Sequence, residues 1–327
     1  MRILITGGAG YIGSIMTRTL IDRGYNVTVA DSLERGRIEA VDKRADFKKG
    51  NLLDKAFVSE IFRDKFDAVI HFAAYISMEE SVKNPSIYFK NNIEGTRNVV
   101  EEMIRTGNNK FIFSSTAGVY GNPQMIPMPE DHPNNPTNPY GESKLMAEEM
   151  LKSTKNLNFV SLRYFNAAGA TLEGDLGEAH SPETHIIPLA IEAAMGDSEF
   201  ILYGNDYNTK DGTCVRDYIH VLDLVDSHVL ALDKLQKDKG GFFYNVGTGK
   251  GYSNKEVLDM IEKVSGQKLK IKVEKRRSGD AETLIADPSK IEKELGFKPK
   301  YSDLETIVKT AWEWHAKNSK FKIQNSK

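Results

Sequence analysis

One cysteine, Cys214, stands among 327 residues. That excludes an intramolecular disulfide and fits a reducing compartment, with the residue itself reading as a small buried apolar side chain. Long apolar runs are missing as well. None approaches the roughly 18 residues that span a bilayer, and Met1-Arg2-Ile3-Leu4-Ile5-Thr6 passes straight into a glycine turn, leaving no room for a cleavable leader. The expectation is a cytoplasmic chain, neither exported by that route nor inserted. Excess charge is lacking too: 44 basic against 46 acidic residues leave a net charge of -2, and nothing in that balance calls for nucleic acid. There is no internal repeat and no low-complexity tract. His71, His220 and His228 have no spacing to nearby carboxylates that makes a metal site, and read as structural.

What remains is ordinary globular composition, 28% charged and 40% hydrophobic, in a chain long enough for one large core or two moderate ones. In the first half, short apolar runs alternate with longer amphipathic stretches. That pattern predicts an α/β fold, a doubly wound parallel sheet of the Rossmann type wrapped by helices. Strands are expected at Arg2 to Thr6, Asn26 to Ala30, Asp46 to Gly50, Ala68 to Phe72, Lys110 to Ser114 and Phe159 to Arg163. Helices are expected at Tyr11 to Arg23, Lys55 to Arg63, Pro85 to Thr106 and Tyr140 to Ser153. After Phe165 the texture shifts to loops with shorter elements, including Pro188 to Met195, Leu222 to Leu235, Asn254 to Val264 and Leu304 to Ala316. The division predicted is a dinucleotide-binding domain over 1–165, a smaller capping domain over 166–316 with a segment near 221–235 returning to the first, and a frayed tail over 317–327.

Gly7, Gly10 and Gly13 follow a strand and open a helix, an arrangement that lets backbone approach a pyrophosphate at the positive helix end. Asp31 then ends the second strand, where a carboxylate accepts from ribose hydroxyls and repels a 2'-phosphate. NAD is expected over NADP, although Arg35 and Arg37 are guanidiniums able to accept a phosphate. Tyr140 and Lys144 lie four apart on a helix and share a face, so the ammonium can favour the ionised phenol. Lowering a tyrosine by about three pH units needs about 4 kcal/mol, within reach of an ammonium plus a cationic nicotinamide. Thr116 closes a buried strand at the end where such sheets bind ligands, and its hydroxyl can relay a proton. Arg216 and Arg277 are planar donors suited to phosphate, each in a loop-like block containing Gly and Asp. Tyr88, Tyr120 and Tyr218 read as packing residues.

Together these residues resemble the extended short-chain dehydrogenase/reductase family. The blocks Tyr203-Gly204-Asn205-Asp206-Tyr207, Asp211 to His220 and Arg276-Arg277-Ser278-Gly279-Asp280 narrow the likeness to its UDP-galactose (UDP-glucose) 4-epimerases, from Arg2 to about Trp314. The resemblance implies an NAD-dependent isomerase. Tyr11 and Ile12 would meet the pyrophosphate, Asp31, Ser32, Leu33, Arg35 and Gly36 the adenosine ribose, and Asn51 and Leu52 the adenine. Phe72, Ala73, Ala74, Ile76, Asn91, Thr116, Tyr140, Lys144 and Phe165 would complete the cofactor site. Asn166, His185, Leu202, Tyr203, Arg216 and Arg277 match positions that hold uridine and diphosphate. Three departures stand out: Asn51 replaces a common Asp, Ile76 a frequent pyrophosphate-binding Lys, and His185 a common Asn.

The reaction so implied inverts C4 of a UDP-hexose through a 4-keto sugar, with Tyr140 as base and Thr116 as relay. Leu284 aligns with a pocket wall where a large aromatic restricts substrates to unacetylated hexoses, which admits UDP-N-acetylhexosamines as additional substrates. A homodimer through Pro85 to Thr106 and Tyr140 to Ser153 is the family expectation. Two competitors stay open. A dehydratase shares the Tyr/Lys pair but needs an acid where Ala117 and Gly118 follow Thr116, and a silent NAD-binding sensor would have no need of Thr116, Tyr140 and Lys144 together.

Overall fold

The computed structural model describes residues 1–196, 198–277 and 279–325, with side chains as far as Asn318. Ser278, within one of the blocks quoted above, lies outside the described residues, as do Ser326 and Lys327 of the expected tail. Seven parallel strands form the main sheet, in the order β10-β6-β5-β4-β1-β2-β3: β1 Arg2–Thr6, β2 Asn26–Asp31, β3 Asp46–Lys49, β4 Ala68–His71, β5 Lys110–Thr116, β6 Asn158–Tyr164 and β10 Gly241–Val246. The central strands are unbroken apolar runs because helices cover both faces. On one face α1 (Tyr11–Asp22) and α8 (Val221–Lys237) pack Ile15, Met16, Leu224 and Leu232 against Ile3, Ile5 and Ile112. On the other, α2 (Lys55–Ile61), α5 (Gly95–Arg105) and α6 (Pro139–Ser153) pack Val58, Val99, Met103 and Leu151 against Leu4, Val69, Phe111 and Phe113. Strand order reverses between β1 and β4, which opens a crevice at their carboxyl ends.

A second body carries β7 (Asn166–Ala168), β9 (Val215–His220), β11 (Gly251–Ser253) and β13 (Thr283–Leu284) in one sheet, and β8 (Glu199–Tyr203) with β12 (Lys270–Glu274) in another. Its core, including Ile187, Ile191, Leu258, Ile307 and Val308, joins α7 (Ile186–Gly196), α9 (Asn254–Ser265) and α11 (Leu304–Asn325). The chain crosses back for α8 and then β10, which pairs with β6; the sequence reading has the helix but not the strand.

The helix read over Pro85 to Thr106 is present from Pro85 to Arg105 but widened in its middle: after α3 (Met78–Lys83), α4 (Pro85–Phe89) continues through a π turn at Lys90–Glu94 into α5. The extra residue in that turn rotates Asn92 inward, where its amide is fully used. α11 continues as far as Asn325, past residue 317 where the tail was expected to begin. Trp314 Nε1 donates to the Glu178 carbonyl at 2.8 Å and Lys317 to that of Glu173, which anchors its later turns. The last short helix is α10 (Ser289–Leu295).

His71, His220 and His228 are structural, each a buried neutral ring with one donor and one acceptor bond. His228 Nδ1 donates to the Leu224 carbonyl at 2.9 Å while Nε2 accepts from Tyr164 at 2.6 Å. Burial pushes His228 from 6.5 down to about 4, partly opposed by the Leu224 bond. The sign follows from linkage: a depressed folded value means stability is lost as pH falls from 6.5 toward 4, by about 1.4 kcal/mol per pH unit for one such ring. His180 and His185, shifted upward beside Glu178, act in the opposite sense but cancel between a variant and its parent. His228→Gln is therefore expected to be less stable at both pH values, yet to lose about 1 kcal/mol less between pH 7.5 and 5.5. Urea unfolding at the two pH values measures this, and an unchanged difference contradicts it.

Candidate active site

The glycine turn sits at the C-terminal end of β1, facing the loop after β4. Gly7 has φ +75°, and a Cβ there would meet the Ala73 nitrogen at 2.5 Å; one on Gly13 would meet the Gly7 carbonyl at 2.2 Å. These two glycines serve packing. A Cβ on Gly10 would meet only the Gly7 oxygen, at 3.4 Å, so the missing side chain leaves an open edge at the start of α1. That is the space a pyrophosphate needs against helix N–H groups, and the cradle fits a dinucleotide. Tyr11 donates to the Gly169 carbonyl at 2.6 Å and Ile12 packs on the core, so both offer the crevice chiefly backbone. Asp31 accepts from Ala9 at 3.0 Å and from Leu33 at 2.8 Å, holding Leu33 at φ +62°. Gly36 is required beside it, because a Cβ would come within 2.9 Å of the Asp31 carboxylate.

Sequence reasoning missed the polar strap across this crevice. Glu34 accepts from Tyr75 at 2.6 Å and from the Asn51 amide at 2.9 Å, while Arg35 pairs with Glu80 at 2.7 Å and lies over the Tyr75 ring at 5.2 Å. Tyr88 also bonds Glu80, at 3.0 Å, so it helps hold the strap as well as packing. Ser32 accepts the Glu34 N–H at 3.3 Å. Both arginines that could have received a 2'-phosphate face acids instead, Arg37 lying 4.0 Å from Glu39. Ile76 is 42% exposed beside the strap. No single residue type in these loops announces them; only their meeting in space does.

Asn92 was also overlooked as a positioning group. Its oxygen accepts from Tyr75 N at 2.9 Å and Asn91 at 3.1 Å; its nitrogen donates to the Tyr75 carbonyl and to Ser143, each at 3.0 Å. It thereby joins the 72–76 loop, with Phe72, Ala73 and Ala74, to α6. Phe72 packs on the His228 ring at 4.8 Å, and the Leu52 carbonyl accepts from Asn98 at 2.9 Å. Two adjacent asparagines inside a helical pattern, where asparagine is a poor helix former, were the available signal.

Tyr140 is the second residue of α6, whose cap Asn138 accepts from Gly141 at 2.9 Å with Pro139 at the first helical position. A Cβ on Gly141 would strike the Gly118 carbonyl at 2.5 Å; this contact seats the helix start against the turn after Thr116. The structure thus brings Tyr140 and Thr116 together. Lys144, 2% exposed, donates to the Ser114 carbonyl at 2.8 Å and lies over the Phe113 ring at 4.7 Å. Within the chain alone, burial acts on both groups. It pushes the Tyr140 phenol up to about 12 despite the Thr116 hydroxyl beside it, and pushes Lys144 down to about 7 despite Glu148. Desolvation penalises both charges.

On the opposite wall, β13 pairs with β9 so that Leu284 is the register partner of Arg216. Leu284 and Phe165 pack together against Ala117, Tyr120 and Met128, close to the catalytic turn. Asn166 donates to the Asp217 carbonyl at 2.9 Å. Arg277 lies over the exposed Tyr203 ring at 5.1 Å and bonds Asp280 at 3.1 Å. Strand alternation turns the Leu202 side chain inward, 7% exposed, into the core of the second body, so it offers the site chiefly backbone, while Tyr203 faces out. His185, at the entry to α7, is held by Glu178.

A doubly wound sheet, a glycine turn open at Gly10, an acid closing β2 and a tyrosine–lysine pair at the end of β5 define an NAD-binding short-chain dehydrogenase/reductase of the extended type. The family described as GDP-mannose 4,6 dehydratase matches residues 4–310. The UDP-glucose 4-epimerase of Streptococcus mutans is 48% identical over 323 residues, 97% of each chain. The crystal structure of the Brucella ovis UDP-glucose 4-epimerase in complex with NAD superposes with a TM-score of 0.92 at 44% identity, covering 95% of this chain and 97% of that one. The UDP-Glc/GlcNAc 4-epimerase of Campylobacter jejuni does so with a TM-score of 0.85 at 43% identity, covering 97% and 99%. The chain belongs to this sugar-nucleotide family of the extended short-chain dehydrogenases/reductases, with UDP-glucose 4-epimerases as relatives over nearly its full length.

The two kinds of glycine are separable. Gly10→Ala, at a backbone conformation alanine also adopts (φ -82°), is expected to fold with near-parental thermal stability but to lose NAD affinity at least tenfold. Gly13→Ala should instead unfold or destabilise the chain severely. Thermal unfolding combined with NAD titration checks both; equal damage to folding in the two variants would refute the distinction.

Proposed function

We propose that the chain interconverts UDP-glucose and UDP-galactose by inversion at C4, and accepts UDP-N-acetylhexosamines as further substrates. The observation that carries this reading is the Thr116–Tyr140–Lys144 constellation at the crevice, facing a wall built from Arg216, Leu284 and Phe165. NAD, which the turn at Gly10 and the Asp31 carboxylate would hold, would supply hydride-transfer chemistry at C4. The chain's own residues manage the proton and the grip. Tyr140 takes the proton of the 4-hydroxyl, directly or through Thr116, and gives it back after the keto sugar has turned; Lys144 orients this end of the crevice. Since burial pushes Tyr140 up to about 12, a positive charge held beside it, as an oxidised nicotinamide would provide, would favour its phenolate.

Arg216 and Arg277, with the Tyr203 ring, are suited to hold the diphosphate and uracil, while a wall of Leu284 and Phe165 leaves the hexose freer to rotate. In this reading residues 1–165 with α8 and β10 bind the cofactor, and the rest of 166–316 holds the nucleotide sugar. Ala117 and Gly118 after Thr116 provide no acid for expelling a hydroxyl, which favours epimerisation over the dehydratase chemistry of other members. A homodimer is consistent with the exposed Val82, Ile87 and Met146 on α3, α4 and α6, and among the described residues no helix is long and apolar enough to cross a membrane, in keeping with a cytoplasmic site of action.

Purified chain incubated with UDP-galactose and no added NAD is expected to form UDP-glucose, read by chromatography. Tyr140→Phe should retain folding and nucleotide-sugar binding while turnover drops by roughly 100-fold or more; a near-parental rate would remove Tyr140 from its role. Leu284→Tyr is expected to depress turnover of UDP-N-acetylgalactosamine at least tenfold while sparing UDP-galactose. Loss of both activities in parallel would argue against the pocket-wall assignment.

A further inference from the structure

Among the described residues, a concentrated set of ligating side chains lies in the loop before α7, ending at His185, which the family likeness places near the nucleotide sugar. We propose that Glu178, His180, Glu183 and His185 form a binding site for a divalent transition-metal ion of the zinc class. Each offers one ligand atom, and the four atoms lie within 4.8 Å of one another. His180 Nδ1 is 3.1 Å from Glu178 Oε1 and 3.9 Å from Glu183 Oε2; His185 Nδ1 is 3.7 Å from Glu183 Oε1 and in direct contact with Glu178 Oε1. Ligands about 2.1 Å from a tetrahedral ion stand about 3.4 Å apart. A set of charge-assisted hydrogen bonds would instead close to about 2.7–2.9 Å. Three of the four separations exceed that range, and they fall on both sides of the tetrahedral spacing.

Burial and support point the same way. The Glu178 and Glu183 side chains are only 6% and 7% exposed, so two carboxylates lie away from water and need positive charge beside them, which a metal ion on neutral His180 and His185 would supply in place of two imidazoliums. A doubly charged ion matches two carboxylates, and imidazole nitrogen with carboxylate oxygen is a donor set that zinc, cobalt and nickel accept. The ligands are oriented from behind: Glu183 accepts the N–H groups of Thr184 and His185 at 2.7 and 2.9 Å, and the Glu178 carbonyl is fixed by Trp314. His185, 49% exposed, leaves an entry path. The Tyr11 ring of α1 meets His180 edge-on at 6.5 Å. Four protein ligands close the coordination shell, so the ion would be structural, cross-linking the loop ahead of α7 to itself.

The test uses the full-length, untagged chain freed of metal with a chelator, and zinc(II) or cobalt(II) chloride alone as ligand. Expected are one zinc per chain by calorimetry, a rise in unfolding temperature of several degrees, and the intense visible absorption of four-coordinate cobalt. His180→Ala should weaken zinc binding at least a hundredfold. Glu183→Gln, a near-isosteric change, serves the same purpose should the alanine variant fail to fold. Absence of stoichiometric binding in the parent, or equal affinity in a folded variant, would overturn the site and leave the cluster an ion-pair network, with the proposed epimerase activity untouched.

Discussion

Desolvation of a phenol and an ammonium at one strand end is the constraint around which this molecule is organised. Tyr140 and Lys144 sit where the end of β5, the start of α6 and the turn after Thr116 converge, and that crowding moves both away from their charged forms. The effect matters because an ionisable pair in open solvent would be charged by pH alone and screened by salt. In the proposed reaction the phenol would stay protonated until a cation came beside it, so the base would form only where the hydride acceptor also sits. The surrounding bonds serve that placement. Asn138 caps the helix, Gly141 allows its close approach to Gly118, and Ser143, donating to the Tyr140 carbonyl at 2.7 Å, is itself tied to Asn92. One turn beyond Lys144, Glu148 forms a bidentate buried pair with Arg163 of β6, a second charge pair that is fully matched and therefore inert.

How much of this the sequence discloses depends on the range of the interaction. Parallel strands, the glycine turn and the Tyr140/Lys144 spacing are set by residues within one element or its neighbour, so their periodicity and composition show them directly. Element bounds came within one or two residues at most strands for the same reason. Non-local pairings left no such trace. β10 is recruited across the molecule to the edge of β6, and Glu34 meets Tyr75 over 41 residues. The wide turn at Lys90–Glu94 arises because Asn92 is drawn to partners on two other elements, which outweighs the propensity for a regular α-helix. Leu202 was placed in the site by likeness alone; alternation along β8 shows that its neighbour Tyr203 is the outward residue. The opposing effect of burial on Tyr140 was not legible because spacing reports a neighbour's identity, not the solvent removed from both groups.

The second body depends on one buried acid that spacing would never single out. Asp217 on β9, fully buried, accepts from Thr248 N and Oγ1, Gly249 N and Ala286 N. Those bonds gather three chain segments around a single carboxylate, and burial, which pushes its pKa up, is offset by the backbone donors. The consequence reaches the crevice. Arg216 precedes Asp217 in β9 and its register partner Leu284 lies two residues before Ala286, so the same hub fixes both. Met128, between Thr116 and α6, then bonds the Ile285 carbonyl at 2.8 Å and the Asp287 N–H at 2.9 Å, fastening that wall to the catalytic turn. Backbone bonds thus set the distance between the Arg216 side and Tyr140, whereas the side chain at 284 projects from this frame without being part of it. A fold arranged in this way can vary the volume offered to the sugar while leaving the proton-transfer geometry unchanged, and breadth of substrate and retention of chemistry then become separate properties of one wall.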